Sequence, residues 1–400
     1  MSNIMTASTQ YATRPPDERF PSFPALVKAC QLDRDMCDEA RYNLRDLEIS
    51  PADLQTATAP ARVGEDASGI LLNSPNGQAT LTHYSFSQLL KTIGPNYSKA
   101  APLLRTLPPA LAADVLNRGL KHDAPIGTRA NILIRDDQSQ PFPTVRAATS
   151  ETYGRLWDGP LFAEVDRYFG DGRPANGGSG DRVWQSPPTW EGGSTDIHGT
   201  RGGNYRGDRD AFVLRIDGGS IVTDPSRSNA PDGGQMFRGL MIRNSEVGLC
   251  SVTIDVVLYR YICGNHILWG ATLDRTFRRR HVGKNVMHDV ITNLLDLARK
   301  FNRRSASDDE EIIKGLIRHE IAHTKEAVID ELRKMGATIE EAETAYQTCE
   351  QTETASPRSY WGLAQGLTRN AQDSGYQDER LELDQLAAKV LTKGRQLVAV

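Results

Sequence analysis

The strongest constraint on the fold is a change of hydrophobic period near residue 285. Residues 237–272 are rich in β-branched and aromatic side chains, and turn-forming pairs interrupt them at Asn244-Ser245 and Gly264-Asn265. After Asn285, apolar residues recur at helical spacing. Further helices are predicted near 308–335, 338–350 and 377–394. The sequence therefore predicts an α+β fold, with a twisted antiparallel sheet core followed by a helical C-terminal third.

The same patterns divide the chain into three regions. We expect a flexible N-terminal segment over 1–43, a strand-rich α+β core over 44–305 and a helical region over 306–400. Within the core, Asn76-Gly77 and Asp217-Gly218 lie between apolar runs and predict β-hairpins. A stretch rich in glycine and arginine predicts long loops over 171–210.

Hydropathy and cysteine usage indicate the cellular compartment. No apolar run approaches the roughly 18 residues that a membrane helix needs, and the first residues lack an apolar signal segment. The five cysteines form no Cys-x-x-Cys pair, which is typical of reduced thiols and not of a disulfide framework or a zinc knuckle. We therefore expect a cytoplasmic protein with no membrane partner.

Charge is unevenly distributed along the chain. The net charge is −4, but residues 238–304 contain twelve Lys or Arg against five Asp or Glu, which gives +7 there and −11 elsewhere. Such segregation can attract a polyanion to one face of an acidic protein. The alternative is a solvated basic helix without a partner.

Binding of single-stranded nucleic acid requires cations along the phosphates and flat side chains on which bases stack. The predicted phosphate contacts are Arg243, Arg260, Arg275, Arg278, Arg279, Arg280, Lys284, Arg299 and Arg303. The predicted stacking residues are Tyr259, Tyr261 and Phe277. Packing in the core is the alternative for the tyrosines, which lie two apart and share one strand face.

Two short motifs suggest catalysis. His319, Glu320 and His323 have the His-Glu-x-x-His spacing that, on a helix, places two imidazoles one turn apart, as zinc peptidases do. Lys325 and the lack of a fixed third ligand favour a chance match on a surface helix, so we predict no cofactor, with zinc as the alternative. Asn244, Ser245 and Glu246 follow a strand, where such residues usually form a turn.

Five segments, considered together, carry a family resemblance. They are Val145–Ser150 with the following Tyr153, Asn244–Gly248, Arg260–Asn265, the stretch that ends at Arg279-Arg280-His281, and Trp361–Thr368. These segments resemble the phage/plasmid-like family that is defined by domain of unknown function 932. The resemblance implies a gene set that replicates, repairs or recombines DNA in a host cytoplasm. A weaker likeness to phage single-strand annealing proteins implies a sheet beside a helix that lines a basic groove.

Charge and resemblance together predict a non-enzymatic protein that binds or anneals single-stranded DNA in phage or plasmid recombination or replication. A homo-oligomer is expected to carry out this function. Two alternatives remain open: a zinc-dependent metallopeptidase that uses the His-Glu-x-x-His segment, and a structural or host-interaction protein whose basic face meets an acidic partner.

Overall fold

The structure of the protein is a computed structural model. It describes residues 16–53, 68–138, 141–175, 182–187, 203–231, 233–260, 266–269, 276–282, 285–302 and 305–398. Strands are concentrated in the first two thirds of the described chain and helices in the last third, which confirms the predicted α+β class. Among the helices that the structure describes, none combines the length and the apolar character that a membrane crossing requires.

The first part of the chain contains all six strands of the smaller sheet. In chain order its elements are β1 (Glu18–Arg19), α1 (Phe23–Asp35), β2 (Cys37–Asn43), β3 (Glu48–Asp53), β4 (Ser68–Ser74), β5 (Gly77–Leu81), α2 (His83–Ile93), α3 (Pro95–Leu104), α4 (Pro109–Arg118), β6 (Arg129–Arg135) and β7 (Thr144–Ser150). The strand order in this sheet is β2-β6-β7-β5-β4-β3. All pairs are antiparallel except β5 with β7, where Thr80 lies opposite Thr144.

Helices α2 to α4 cover one face of the six-stranded sheet. Helix α2 begins at a capping box, in which Thr82 and Ser85 satisfy each other's backbone amides. Its apolar side buries Phe86 and Leu89 against sheet residues such as Ile132. The predicted hairpin at Asn76-Gly77 joins β4 and β5 and is confirmed, with Gly77 at a φ of 129°.

The middle of the chain forms most of an eight-stranded sheet. Its elements are α5 (Asp158–Phe169), β8 (Trp184–Gln185), β9 (Asn204–Arg206), β10 (Ala211–Thr223), β11 (Gln235–Asn244), β12 (Val252–Arg260), β13 (His266–Ile267) and β14 (Thr276–Arg279). The main strand order is β1-β9-β10-β11-β12-β13, while β14 pairs with β12 and β8 with β10. Because the sheet is covered on both faces, β12 is almost wholly buried.

The last third of the chain is helical, as predicted. Its helices are α6 (Val286–Asn302), α7 (Ala306–Arg318), α8 (Lys325–Lys334), α9 (Ile339–Thr352), α10 (Tyr360–Asn370) and α11 (Gln377–Val398). Helix α10 is buried along most of its length. A Cβ at Gly366 would lie 2.2 Å from the Ala345 carbonyl oxygen, so glycine is required for α9 and α10 to pack this closely.

The predicted domain boundaries need correction at the N-terminal end. Residues 16–43 are not a flexible segment, because Phe23 and Leu26 of α1 are fully buried in the larger core and β2 completes the six-stranded sheet. Residues 44–305 contain strands of two sheets and not of one. The predicted loops over 171–210 include β8 and β9, while 176–181 and 188–202 lie outside the described residues.

Residues far apart in the chain hold its N-terminal segment in place. Strand β1 pairs with β9, with Glu18 opposite Arg206. The Asp17 carboxylate accepts a hydrogen bond of 2.6 Å from the backbone N–H of Gln377, at the start of α11. The segment before α1 therefore docks on both the larger sheet and the last helix.

Candidate functional site

Strand β14 carries exposed arginines at the side of the larger sheet. It pairs antiparallel with β12, with Thr253 opposite Arg278. Exposure alternates along it, so Thr276, Arg278 and Arg280 are exposed while Phe277 and Arg279 are half-buried. Same-side positions on a strand are about 7 Å apart, so the two exposed guanidinium groups can contact separate phosphates.

Helix α6 adds a third exposed arginine, Arg299. The start of this helix is held near β14 by an ion pair of 3.1 Å between Arg279 Nε and Asp289 Oδ2. Arg299 lies ten residues beyond Asp289, about 15 Å along the helix. Within the described part of the chain, Arg278, Arg280 and Arg299 form no ion pair. We call these three residues the basic edge.

Two predicted phosphate contacts are wrong, because they are buried and neutralised inside the protein. Arg260 has 0% exposure, and its guanidinium group binds Asp224 and, at 2.9 Å, Glu353 Oε2. Arg243 is also buried, and its Nε donates to Asp210. A buried cation requires such a partner, and the partner removes it from contact with a ligand. Arg279 is half-buried and engaged with Asp289.

The predicted stacking residues are also placed differently. Tyr259 is fully buried in the core cluster between the larger sheet and α11, so the prediction that it stacks on bases is wrong and the core alternative is correct. Phe277 packs against the core on the face opposite Arg278. Tyr261 and three of the predicted cations, Arg275, Lys284 and Arg303, lie outside the described residues.

The His-Glu-x-x-His segment is not helical. Helix α7 ends at Arg318, and His319 adopts extended backbone angles. Tertiary hydrogen bonds replace the helical ones: the Ile321 N–H donates to the Arg358 carbonyl oxygen at 2.8 Å, and Tyr360 N–H to the His319 carbonyl oxygen at 3.3 Å. The predicted helix with two imidazoles one turn apart is therefore wrong.

The side chains of this segment have other partners. Glu320 is bound by Arg358 Nη2 at 3.1 Å and lies 3.2 Å from Nδ1 of His323, whose side chain is 94% exposed. His319 Nδ1 lies 2.9 Å from the Gly315 carbonyl oxygen. No group of three or more His, Cys, Asp or Glu in the described ranges is arranged to hold a metal ion.

The two sheets are joined by a buried polar cluster that the sequence did not reveal. Arg146 Nη1 of β7 binds Asp33 Oδ2 at 2.6 Å and Glu246 Oε2 at 3.2 Å. Glu246 Oε1 accepts from the Asp158 backbone N–H at 2.8 Å, and Asn244 Nδ2 donates to Asp158 Oδ1 at 2.7 Å. We call these five residues the junction network, since they connect α1, α5, β7 and the turn after β11.

Burial dominates the electrostatics of the junction network. It raises the pKa of the Asp158 carboxyl well above its ordinary value, and the nearby Glu246 carboxylate raises it further. Both side chains are buried where α5 and the turn after β11 meet, and Glu246 also binds Arg146 of the other sheet. Ser245 confirms the predicted turn, because its hydroxyl accepts from the Leu249 N–H at 2.8 Å.

Three of the segments that carry the family resemblance meet at this junction. Tyr153 donates from its hydroxyl to the Ser245 carbonyl oxygen at 2.8 Å, and its ring stacks on His281 with centroids 5.0 Å apart. Burial lowers the pKa of His281 to about 4, and Arg155 contributes to the decrease, so this imidazole is neutral at physiological pH. Three of the five segments therefore contribute residues that connect the two sheets.

Comparisons with protein-family models, with curated proteins and with solved structures found no match to this chain. The family resemblance therefore remains a prediction from the sequence.

Proposed function

We propose that this protein binds single-stranded DNA through the basic edge and does no chemistry on the strand. Binding of this kind serves annealing or protection of strands during phage or plasmid recombination or replication, in the cytoplasm. Self-association would extend the basic edge of one copy into a longer track for the polynucleotide.

One observation carries this proposal: the arginines of the larger sheet and those of the segment from β14 to α6 differ sharply in their partners. Arg243 and Arg260 are neutralised internally, whereas Arg278, Arg280 and Arg299 are exposed and form no ion pair within the described ranges. An exposed guanidinium group keeps its donors available for phosphate oxygens, with which it forms charge-assisted hydrogen bonds.

The chemistry of the basic edge favours contacts to phosphates over reading of bases. Phe277 packs against the core, and Tyr259 is buried, so neither supplies a stacking surface. Binding that rests on phosphate contacts is insensitive to base sequence and weakens steeply with salt, because it releases counterions. The proposed activity is therefore sequence-tolerant binding. Of the predicted stacking residues, Tyr261 lies outside the described residues, and its contact with bases stays a prediction.

Fluorescence anisotropy with a labelled oligonucleotide at several salt concentrations tests the proposal. We expect the Arg278→Gln/Arg280→Gln double variant to bind at least about tenfold more weakly at low salt, since it loses two phosphate contacts. The slope of log K against log salt should become shallower by about 1.4, at 0.7 for each contact.

A matched control removes two exposed arginines elsewhere, Arg118 and Arg129 at the smaller sheet. The Arg118→Gln/Arg129→Gln variant has the same net charge as the test variant and should bind almost as the unaltered protein does. Equal weakening in both variants would mean that only overall charge matters. Absence of binding by the unaltered protein at low salt would exclude the proposal, and the basic edge would then be tested against acidic protein partners.

A further inference from the structure

The segment between β7 and α5 places a half-buried tryptophan beside the basic edge. The backbone N–H of Gly154 donates to the His281 carbonyl oxygen at 2.8 Å, and His281 directly follows Arg280. Trp157 lies three residues beyond Gly154, which is at most about 11 Å of extended chain. A binding site for several nucleotides spans such a distance, so one strand can reach both Arg280 and Trp157.

Two arginines contact the indole of Trp157 and differ in their other partners. The guanidinium carbon of Arg34 lies 5.2 Å from the ring centroid, and that of Arg155 lies 5.7 Å from it. The Arg155 side chain is 1% exposed and binds Glu39 Oε1 at 2.9 Å. Arg34 is exposed and forms no ion pair within the described ranges. Arg155 therefore holds the indole in place, while Arg34 keeps its charge available to a ligand.

Packing in the interior accounts for only part of the indole. Trp157 packs against a small buried cluster of Leu133, Ala147 and Val247, which lies where the two sheets meet. The rest of the side chain is accessible, in contrast to Tyr259, which is fully buried. An aromatic ring that is already fixed in the unbound protein loses little side-chain entropy when a ligand stacks on it.

We propose that Trp157 stacks on a base of the bound single strand and that Arg34 contacts the neighbouring phosphate. This inference rests on the proposed function and extends the binding surface from the basic edge to the junction between the sheets. A flat aromatic surface beside cations is what a single strand requires, and the sequence patterns assigned that role to other residues. Stacking accepts any base, so it agrees with sequence-tolerant binding.

Fluorescence anisotropy with two oligonucleotides of equal length and charge, one ordinary and one made of abasic sites, tests this proposal. Trp157→Leu keeps an apolar contact with the buried cluster but loses the ring, so it should bind the ordinary oligonucleotide about tenfold more weakly. Its affinity for the abasic oligonucleotide should not change, because no base is present to stack. The salt dependence of binding should also be retained, since no phosphate contact is removed.

Two further variants serve as controls. Trp157→Tyr keeps an aromatic ring and should retain most of the affinity for the ordinary oligonucleotide. Tyr97→Leu replaces another half-buried aromatic side chain, on α3 at the smaller sheet, and should bind both oligonucleotides as the unaltered protein does.

The unaltered protein gives a test that needs no folded variant, because it should bind the abasic oligonucleotide about tenfold more weakly than the ordinary one. Equal affinity for the two would overturn the assignment of Trp157 and leave the proposed function intact. Equal weakening of both by Trp157→Leu, or no weakening of either, would do the same. If the unaltered protein bound neither oligonucleotide at low salt, the proposed function and this inference would both be wrong.

Discussion

Arginines on β11 and β12 are enclosed, whereas Arg278 on β14 and Arg280 just after it are exposed, although the strands are neighbours. Arg260 is enclosed and bound to Asp224 and Glu353, while Arg278 and Arg280 are exposed. Trp361 of α10 also donates to Asp224, at 2.9 Å, so the interior arginine belongs to the contact between the sheet and the C-terminal helices. Within one basic segment, position in the sheet separates arginines that stabilise the fold from those available to a ligand.

Arg260→Ala tests the buried arginine of this comparison and should have the largest effect on stability. Its loss would leave Asp224 as a buried charge without its cation, while Glu353 would keep only its ion pair of 3.3 Å with Arg227, which together costs about 3–5 kcal/mol of unfolding free energy. Urea denaturation followed by circular dichroism measures the change. Arg280→Ala is the control and should change stability by no more than about 0.5 kcal/mol. Similar losses in both variants would break the comparison.

Asp255 gives a second test of the comparison. It lies on β12 two residues from Thr253, which is opposite Arg278 on β14. Burial raises its pKa to about 6, against the opposing effects of Arg278 and Arg243. Because this pKa is higher in the folded protein than in the unfolded chain, protonation of Asp255 stabilises the folded state. This stabilisation is lost as pH rises through about 6.

We therefore expect Asp255→Asn to be more stable than the unaltered protein above pH 7, by on the order of 2–3 kcal/mol. The difference should disappear at about pH 4, where both side chains are uncharged. Urea denaturation at the two pH values measures it. A pH-independent difference would show that the carboxyl charge is not responsible.

Arg279 is intermediate between the buried and the exposed arginines, and its substitution should have the smallest effect on stability. It is half-buried, and its ion pair with Asp289 is partly exposed to solvent. Arg279→Gln should reduce stability by about 0.2–1 kcal/mol and leave oligonucleotide binding nearly unchanged. Thermal unfolding and anisotropy measure the two quantities. Weakening of DNA binding as large as that in Arg278→Gln/Arg280→Gln would place Arg279 in the binding surface instead.

The sequence predicts most reliably those structural features that neighbouring residues determine. The period change near residue 285, the Asn76-Gly77 turn and the Ser245 turn all follow from neighbouring residues, and the structure contains each of them. The hairpin predicted at Asp217-Gly218 is wrong, because β10 continues through these residues with a shift of its register to β11 between Ile216 and Ile221. The near-continuous apolar run of β12 also carried a usable signal. A strand buried on both faces shows such a run, so its terminal Arg260 could have been expected to need an internal partner.

Features that depend on distant residues could not be predicted. Glu353 lies 93 positions from Arg260, so no local pattern relates them. The end of α7 before His319 is set by hydrogen bonds with the segment at Arg358, although Thr324, which caps α8, is a local signal for a new helix. The junction network likewise combines residues from four separate segments.

The docking of the N-terminal segment has a consequence for the order of events during synthesis. Asp17 cannot reach its final partner until Gln377 has left the ribosome, and β1 must wait for β9. Contacts between residues so far apart in the sequence slow folding, because closing the long intervening loop costs conformational entropy before the contacts can form. The segment before α1 is therefore among the last parts of the described chain to reach its native position, and in the interval the edge of β9 remains open to mispairing.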